Sequence, residues 1–227
     1  MKLVCVSSGS NANCYFLINS KGEILILDAG VKLDKLMNNK YFSSFKSVVG
    51  CLITHQHKDH SLAVPDFKMA GVEVLGYMNM QPQKKYQLGN YIVIPFNVVH
   101  DVKNYGYIIK EINSNSLFVY ATDFCDLPLI ANINNWLIEC NYCEDLWEEN
   151  LMSENPNYGY LGRVQESHMG LASLEKYFSK IKTRPNKIIL CHLSQNGNAD
   201  KVKMIEAMNK YSQYVDIATK NKTWEID

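Results

Sequence analysis

A chain of 227 residues, 47% of them hydrophobic, is long enough to bury a sizeable core, and the absence of a Pro/Gly/Ser-rich linker, repeat or low-complexity tract predicts one folded domain over 1–227. Its 23 basic and 23 acidic residues sum to zero, with Arg163 and Arg184 as the arginines, which argues against a broad electrostatic grip on long duplex DNA. The 7 cysteines, an odd number scattered through apolar runs, suit reduced buried thiols rather than a disulfide framework, and with no signal-peptide run or 18-residue apolar span the expectation is a cytoplasmic protein without membrane contact.

In chain order, 4–6 and 15–18 read as strands joined by a Gly/Ser turn from Ser7 to Asn13. The run 23–27 is a third strand, ending in Asp28-Ala29-Gly30. Residues 48–53 are apolar and rich in valine and isoleucine, the pattern of a strand buried on both faces. Directly after it comes His55-Gln56-His57-Lys58-Asp59-His60, which holds three of the 6 histidines. Leu62, Val64, Phe67 and Met69 then predict a helix over about 61–71. Strand 91–99 ends in His100-Asp101, strand 116–120 leads to Asp123, and strand 187–191 ends in His192. A further helix is predicted over about 169–180, opened by His168.

The histidine cluster has the spacing of a metal site. On extended backbone, residues two apart point the same way, so His55 and His57 can offer nitrogens to one ion while the turn into the next helix aims Asp59 and His60 at a second. Imidazole and carboxylate donors suit zinc, manganese or iron, and two ions about 3.5–4 Å apart can hold a bridging hydroxide and clamp both oxygens of a displacement. Four local donors do not complete two shells. Asp28, His100, Asp123 and His192 each follow a predicted strand, at the carboxyl ends where α/β sheets place their sites. Singly, each has an ordinary reading as a turn exit, a core histidine or a cap. Cys140-x-x-Cys143, without a second such pair, reads as a strand end and a helix start rather than a zinc site.

The order Asp28, His55-x-His57-x-Asp59-His60, His100, Asp123, His192 resembles the metallo-β-lactamase superfamily over nearly the whole chain. The resemblance implies an α+β fold, the four-layer αβ/βα sandwich, with a dinuclear site at one edge. It implies two divalent metal ions, zinc or manganese: one on His55, His57 and His100, the other on Asp59, His60 and His192, with Asp123 bridging and Asp28 orienting a ligand from behind. Ser7-Ser8-Gly9-Ser10-Asn11-Ala12-Asn13-Cys14-Tyr15, Leu137-Ile138-Glu139-Cys140-Asn141-Tyr142-Cys143 and Cys191-His192-Leu193-Ser194 resemble the YycJ/WalJ-like nuclease branch. Leu161-Gly162-Arg163 with Ser167-His168-Met169-Gly170 matches less well, because the branch has a Gly-His-Leu-Ser-Asn run there.

That branch implies a DNA exonuclease in which a metal-bridging hydroxide attacks phosphorus. His168 then binds the phosphate or protonates the leaving oxygen, Glu139 orients His168, and Ser10, Asn13, Arg163 and Ser194 hold the substrate. A helix starting beside His168 would add its free N–H groups as an anion site, although a capping histidine is an equal reading. A nucleotide partner smaller than DNA, such as a cyclic nucleotide or dinucleotide, suits the neutral charge, with Tyr105, Tyr107, Tyr158 or Tyr160 available to stack on a base. A thioesterase or lactonase and a non-catalytic metal-binding module are the remaining alternatives, and self-association as a homo-oligomer is left open.

Overall fold

A computed structural model describes residues 1–153 and 156–226, with every side chain among them except that of Tyr160. In chain order the strands are β1 (Lys2–Ser7), β2 (Cys14–Ile18), β3 (Ile24–Leu27), β4 (Val48–Ile53), β5 (Val74–Gly76), β6 (Tyr86–Leu88), β7 (Tyr91–Val98), β8 (Asn104–Glu111), β9 (Phe118–Ala121), β10 (Asn135–Glu139), β11 (Lys187–Cys191), β12 (Tyr214–Ile217) and β13 (Thr223–Glu225). They form two sheets, ordered β13-β1-β2-β3-β4-β5 and β12-β11-β10-β9-β8-β7-β6. Both are mixed. Hairpins make β1 to β3 and β6 to β9 antiparallel, whereas β3 to β5 and β9 to β12 run parallel.

The two-residue period of a strand sorts side chains into layers. Leu3 and Cys5 of β1 face the second sheet, meeting Tyr105, Tyr107, Phe118, Tyr120, Leu137 and Ile189 in the central core. Val4 and Val6 face the other way, packing with Phe16, Ile26, Ile53 and Phe67 beneath α1 (Leu33–Met37), α2 (Lys58–Ser61) and α3 (Val64–Met69). On the second sheet Val119, Trp136, Ile138 and Leu190 point outward, under α4 (Glu144–Leu151), α6 (Leu171–Phe178) and α7 (Lys201–Met208), while α5 (Tyr158–Ser167) lies before α6 in the chain. Three apolar layers between four layers of structure are the αβ/βα sandwich. Each fully buried leucine, isoleucine or phenylalanine in them contributes about 1.5–3 kcal/mol.

Tyrosines of the second sheet tie it to the first. Tyr91 donates its hydroxyl to Leu17 O at 2.7 Å, and Tyr107 donates to Ile53 O at 2.6 Å. Tyr105 and Tyr107 are therefore buried core residues, not stacking platforms for a base. Tyr158 is exposed on α5, and the side chain of Tyr160 lies outside the described residues.

Two helices differ from expectation. The one predicted over 61–71 starts earlier, at Lys58, and is split by Leu62 and Ala63. Pro65, in the first turn of α3, lacks an N–H and so begins a new helix rather than continuing the old one. The helix predicted over 169–180 is α6, which starts at Leu171, so His168 stands between α5 and α6 instead of opening a helix. No helix among the described residues is long and apolar enough to cross a membrane.

Candidate metal centre

Three strands leave the sheets through backbone that non-glycine residues seldom adopt. Asp28, Asp123 and His192 lie just past β3, β9 and β11 with φ of 57°, 54° and 52°. Left-handed geometry costs about 1–3 kcal/mol at each such residue and persists only where its surroundings impose it. The return is a sharp turn that brings all three side chains to one point between the sheet edges. From the first sheet, β4 ends at Ile53 and hands the chain through Thr54 to His55. His57 caps α2 in an extended conformation, and the first turn of that short helix carries Asp59 and His60. His100 follows β7.

These elements converge. His55, His57 and His100 bring one nitrogen each within 4.8 Å of one another, and Asp59, His60 and His192 form a second group of the same kind. A third group, His55, His60 and Asp123, overlaps both. Asp123 Oδ2 lies 2.9 Å from His60 Nε2 and 3.6 Å from His192 Nε2, and its grouping with His55 ties it to the first cluster as well. Among the described residues, two buried ring nitrogens of these clusters have no hydrogen-bond partner: His55 Nε2 and His192 Nε2. An unsatisfied buried polar atom costs about 1–3 kcal/mol, so orphaned lone pairs in a nest of carboxylates and imidazoles fit a divalent cation of the zinc or manganese type.

Behind the donors lies a layer of hydrogen bonds that fixes their orientation. Asp28 is fully buried; its Oδ2 stands 2.7 Å from His60 Nδ1 and accepts from Tyr120 OH at 2.6 Å, while its Oδ1 accepts from Thr54 N at 2.8 Å. With Nδ1 held there, His60 turns Nε2 toward Asp123 and Asp59. Thr54 Oγ1 sits 3.0 Å from His55 Nδ1 and does the same for that ring. Thr54 adjoins the histidine motif and so has a local signal in the sequence, whereas Tyr120 reaches Asp28 from 92 residues away and has none.

Charge follows the same division. Burial together with the neighbouring His60, His100 and His57 rings pushes His55 down to about 2. Burial opposes protonation of His60 as well, but the Asp123 and Asp28 carboxylates outweigh it and hold that ring well above the usual histidine range. Burial pushes Asp123 up, yet His192 and His60 hold it well below the ordinary carboxylate value.

Glu139, at the end of β10, serves two rings through one oxygen: Oε1 lies 2.7 Å from His168 Nδ1 and 2.8 Å from His192 Nδ1. Its Oε2 accepts from Phe124 N at 3.0 Å, so the fully buried carboxylate is fixed on both sides. His168 stacks on His192, ring centroids 5.3 Å apart, at the wall of the site. Burial lowers its proton affinity, but Glu139 overrides burial and lifts it to about 9. The expected anion site at a helix start beside His168 is absent. The N–H of Ala172, in the first turn of α6, is taken by both oxygens of Glu144 at 2.9 Å, so a protein carboxylate fills the place expected for a phosphate.

The donors face an open hollow of about 620 Å³ lined by His57, Asp59, His100, Asp123, His168 and His192, with Ser10 and Arg163 at its rim. Of the expected substrate contacts, Ser10 and Arg163 are thus placed at the site. Asn13 is not: fully buried, it exchanges hydrogen bonds with Gly9 and brings Nδ2 to 3.0 Å from His60 Nε2, which pins the 8–13 loop. Ser194 does not line the hollow either, and Asn196, two residues on, does. Lys58 and Asp101, which sit inside the sequence motifs but carry no role there, also line it. Cys140 and Cys143 are buried, Cys143 as the residue preceding α4, as their strand-end and helix-start reading implied.

No protein-family profile matches the chain, and no curated protein sequence matches it. Its fold has many solved counterparts. A metallo-β-lactamase fold protein, YhfI from Bacillus subtilis, superposes with a TM-score of 0.72 at 15% identity, covering 98% of each chain. A diphosphatase from the PhnP family gives 0.68 at 13% identity, covering 100% of this chain and 98% of that one. The short form of human tRNase Z gives 0.66 at 13% identity over 100% of both. With its two mixed sheets, flanking helices and strand-end donors, the chain has the metallo-β-lactamase fold.

Proposed function

We propose that this protein is a metal-dependent phosphodiesterase of the YycJ/WalJ-like kind, acting on DNA ends as an exonuclease. The observation that carries the reading is the joining of the Asp59, His60 and His192 donor group to a further imidazole, His168, through one carboxylate, Glu139, which contacts both His192 and His168. His55, His57 and His100 would hold one divalent ion and Asp59, His60 and His192 the other, with Asp123 shared and Asp28 orienting His60. Two fold counterparts are described as a tRNase Z and a diphosphatase, which supports phosphorus over a carbonyl as the reacting centre. Divalent ions at such a site supply Lewis acidity, both to generate a nucleophile from water at neutral pH and to neutralise charge on the phosphoryl oxygens.

The protein's own groups do the rest. Arg163 and Lys58, both at the hollow, attract and orient the anionic diester. With Nδ1 tied to Glu139, His168 has Nε2 left to give a proton to the departing oxygen, a role worth about 10²–10⁴ in rate when the leaving group is basic. Glu139, accepting at Nδ1, favours the doubly protonated ring, the form that can release a proton from Nε2. The second reading is a small phosphodiester, a cyclic nucleotide or dinucleotide, which the zero net charge favours.

Purified protein loaded with manganese or zinc is to be assayed on end-labelled duplex DNA, a panel of cyclic nucleotides and a thioester. Stepwise shortening of the DNA is the expected result. Turnover of cyclic nucleotides alone would replace the nuclease reading with the second one, and thioester cleavage alone would remove phosphodiesterase chemistry. Undiminished activity in Asp59→Ala would rule out a two-ion centre.

A further inference from the structure

The loop at 8–13 is a wall between two hollows. Ser10 lines the one that holds the donor clusters, while Asn11 and Ala12 line a second, also of about 620 Å³, on the other side. Three exposed lysines border this second hollow: Lys32, just before α1, Lys35 within it, and Lys220 from the turn between β12 and β13. None of the three makes an ion pair among the described residues, whereas Lys2, Lys203, Lys210 and Lys222 are each matched with an acid. Asp34 is the one acidic residue among its described lining residues, so the hollow keeps a positive balance on a chain whose total charge is zero.

From this juxtaposition we infer that the second hollow is a backbone subsite for a polynucleotide: the strand whose scissile phosphate lies at the donor clusters crosses the 8–13 loop, and its following phosphates meet Lys32, Lys35 and Lys220. The inference rests on the phosphodiesterase reading and deepens it by choosing a polymer over a cyclic nucleotide. The two hollows adjoin at this loop, since Ser10 lines one and its neighbour Asn11 the other. Lysine is the right residue for such a track, because a flexible point charge meets phosphates without reading sequence. A subsite of this kind also answers the lack of a broad basic face, since a short row of lysines next to the site is enough to hold a strand end.

The experiment compares the wild-type protein with a variant carrying Lys32→Ala, Lys35→Ala and Lys220→Ala, and with a charge-matched control carrying Lys84→Ala, Lys85→Ala and Lys182→Ala, after thermal melts show that all three fold alike. Binding of a fluorescent single strand of about 20 nucleotides is followed by anisotropy between about 50 and 200 mM salt, and hydrolysis of bis(p-nitrophenyl) phosphate is measured beside it. Three phosphate contacts on a single strand give a slope of about 2 in log affinity against log salt, so the first variant should lose that slope and bind about 10–100-fold more weakly at low salt, while the control binds as wild type. Equal binding by wild type and the first variant, with the small diester still turned over, overturns the subsite alone. Failure of the wild-type protein to hydrolyse any phosphodiester overturns the phosphodiesterase reading and the subsite with it. A control that loses binding as much as the first variant overturns the assignment to this hollow.

Discussion

Asp28 and His60 are joined by a 2.7 Å contact between Oδ2 and Nδ1, fully buried, on the side of the ring away from Asp123. Every other contact of that carboxylate is with a donor: Thr54 N, Thr54 Oγ1 and Tyr120 OH. An amide in its place would aim an NH₂ at one of these donors and lose the charge that keeps the ring oriented. Asp28→Asn is therefore expected to weaken metal binding about 10–100-fold, the usual cost of losing an outer partner of a ligand histidine. Competition against a chromophoric chelator measures it, and an unchanged affinity would show that Asp28 does not orient the site.

Gly30, two residues past Asp28, has no room for a side chain. A Cβ there would stand 1.5 Å from Asp59 O, 2.3 Å from Asp59 C and 2.9 Å from Asn13 N, all backbone atoms that cannot swing aside. Gly30 N also donates to Asn13 O at 2.9 Å, so three loops meet at this α-carbon. Gly30→Ala is expected to destabilise by about 3 kcal/mol, at the upper end for overpacking, lowering the midpoint of thermal unfolding by about 6–12 °C. The same shift moves Asp59, so metal content should fall in parallel. A calorimetric melt at the wild-type temperature would show that the loops accommodate the methyl.

His168→Ala separates a proton donor from a wall residue by the leaving group it serves. Nitrophenolate departs without help, so hydrolysis of bis(p-nitrophenyl) phosphate should change little, whereas DNA, whose leaving alkoxide is strongly basic, should lose about 10²–10⁴ in kcat. Glu139→Gln should be worse than His168→Ala on both substrates, because Glu139 also holds His192 Nδ1. Equal losses on both substrates in His168→Ala would leave that residue a substrate-positioning role only.

The donors were legible because they are local or terminal. The cluster from His55 to His60 lies within six positions, and His100, Asp123 and His192 each follow a run whose apolar pattern marks a buried strand. Their convergence was not local, and it came from the family resemblance of their order. What escaped was set by partners distant in the chain. Asn13 looks like a turn residue open to a ligand until His60, 47 residues on, is seen to occupy its amide. The start of α6 looks like an anion site until Glu144 is seen to fill it from 28 residues away. The tyrosines, plentiful enough to suggest stacking, are used instead to tie one sheet to the other.

Asp216 gives the fold a pH dependence far from the metal centre. It lies on β12, and its carboxylate receives hydrogen bonds from Trp224 Nε1 and Tyr214 OH at 2.8 Å and from Lys222 Nζ at 2.7 Å, joining the edge strand of the second sheet to the last strand of the first. Burial alone would raise its proton affinity, but these donors outweigh it and hold Asp216 below the usual carboxylate range. The unfolded chain thus takes up this proton at a higher pH than the folded one. The stabilisation is complete above the unfolded value of about 3.9 and disappears as pH falls through the lower folded value. Asp216→Asn should cost about 1–2 kcal/mol at neutral pH, the worth of charged hydrogen bonds to a carboxylate at the sheet edge, and the gap between variant and wild-type melting temperatures should narrow as pH is taken from about 6 to 3. A gap that stayed constant over that range would mean that packing around Trp224, and not the carboxylate's charge, is what joins the two sheets there.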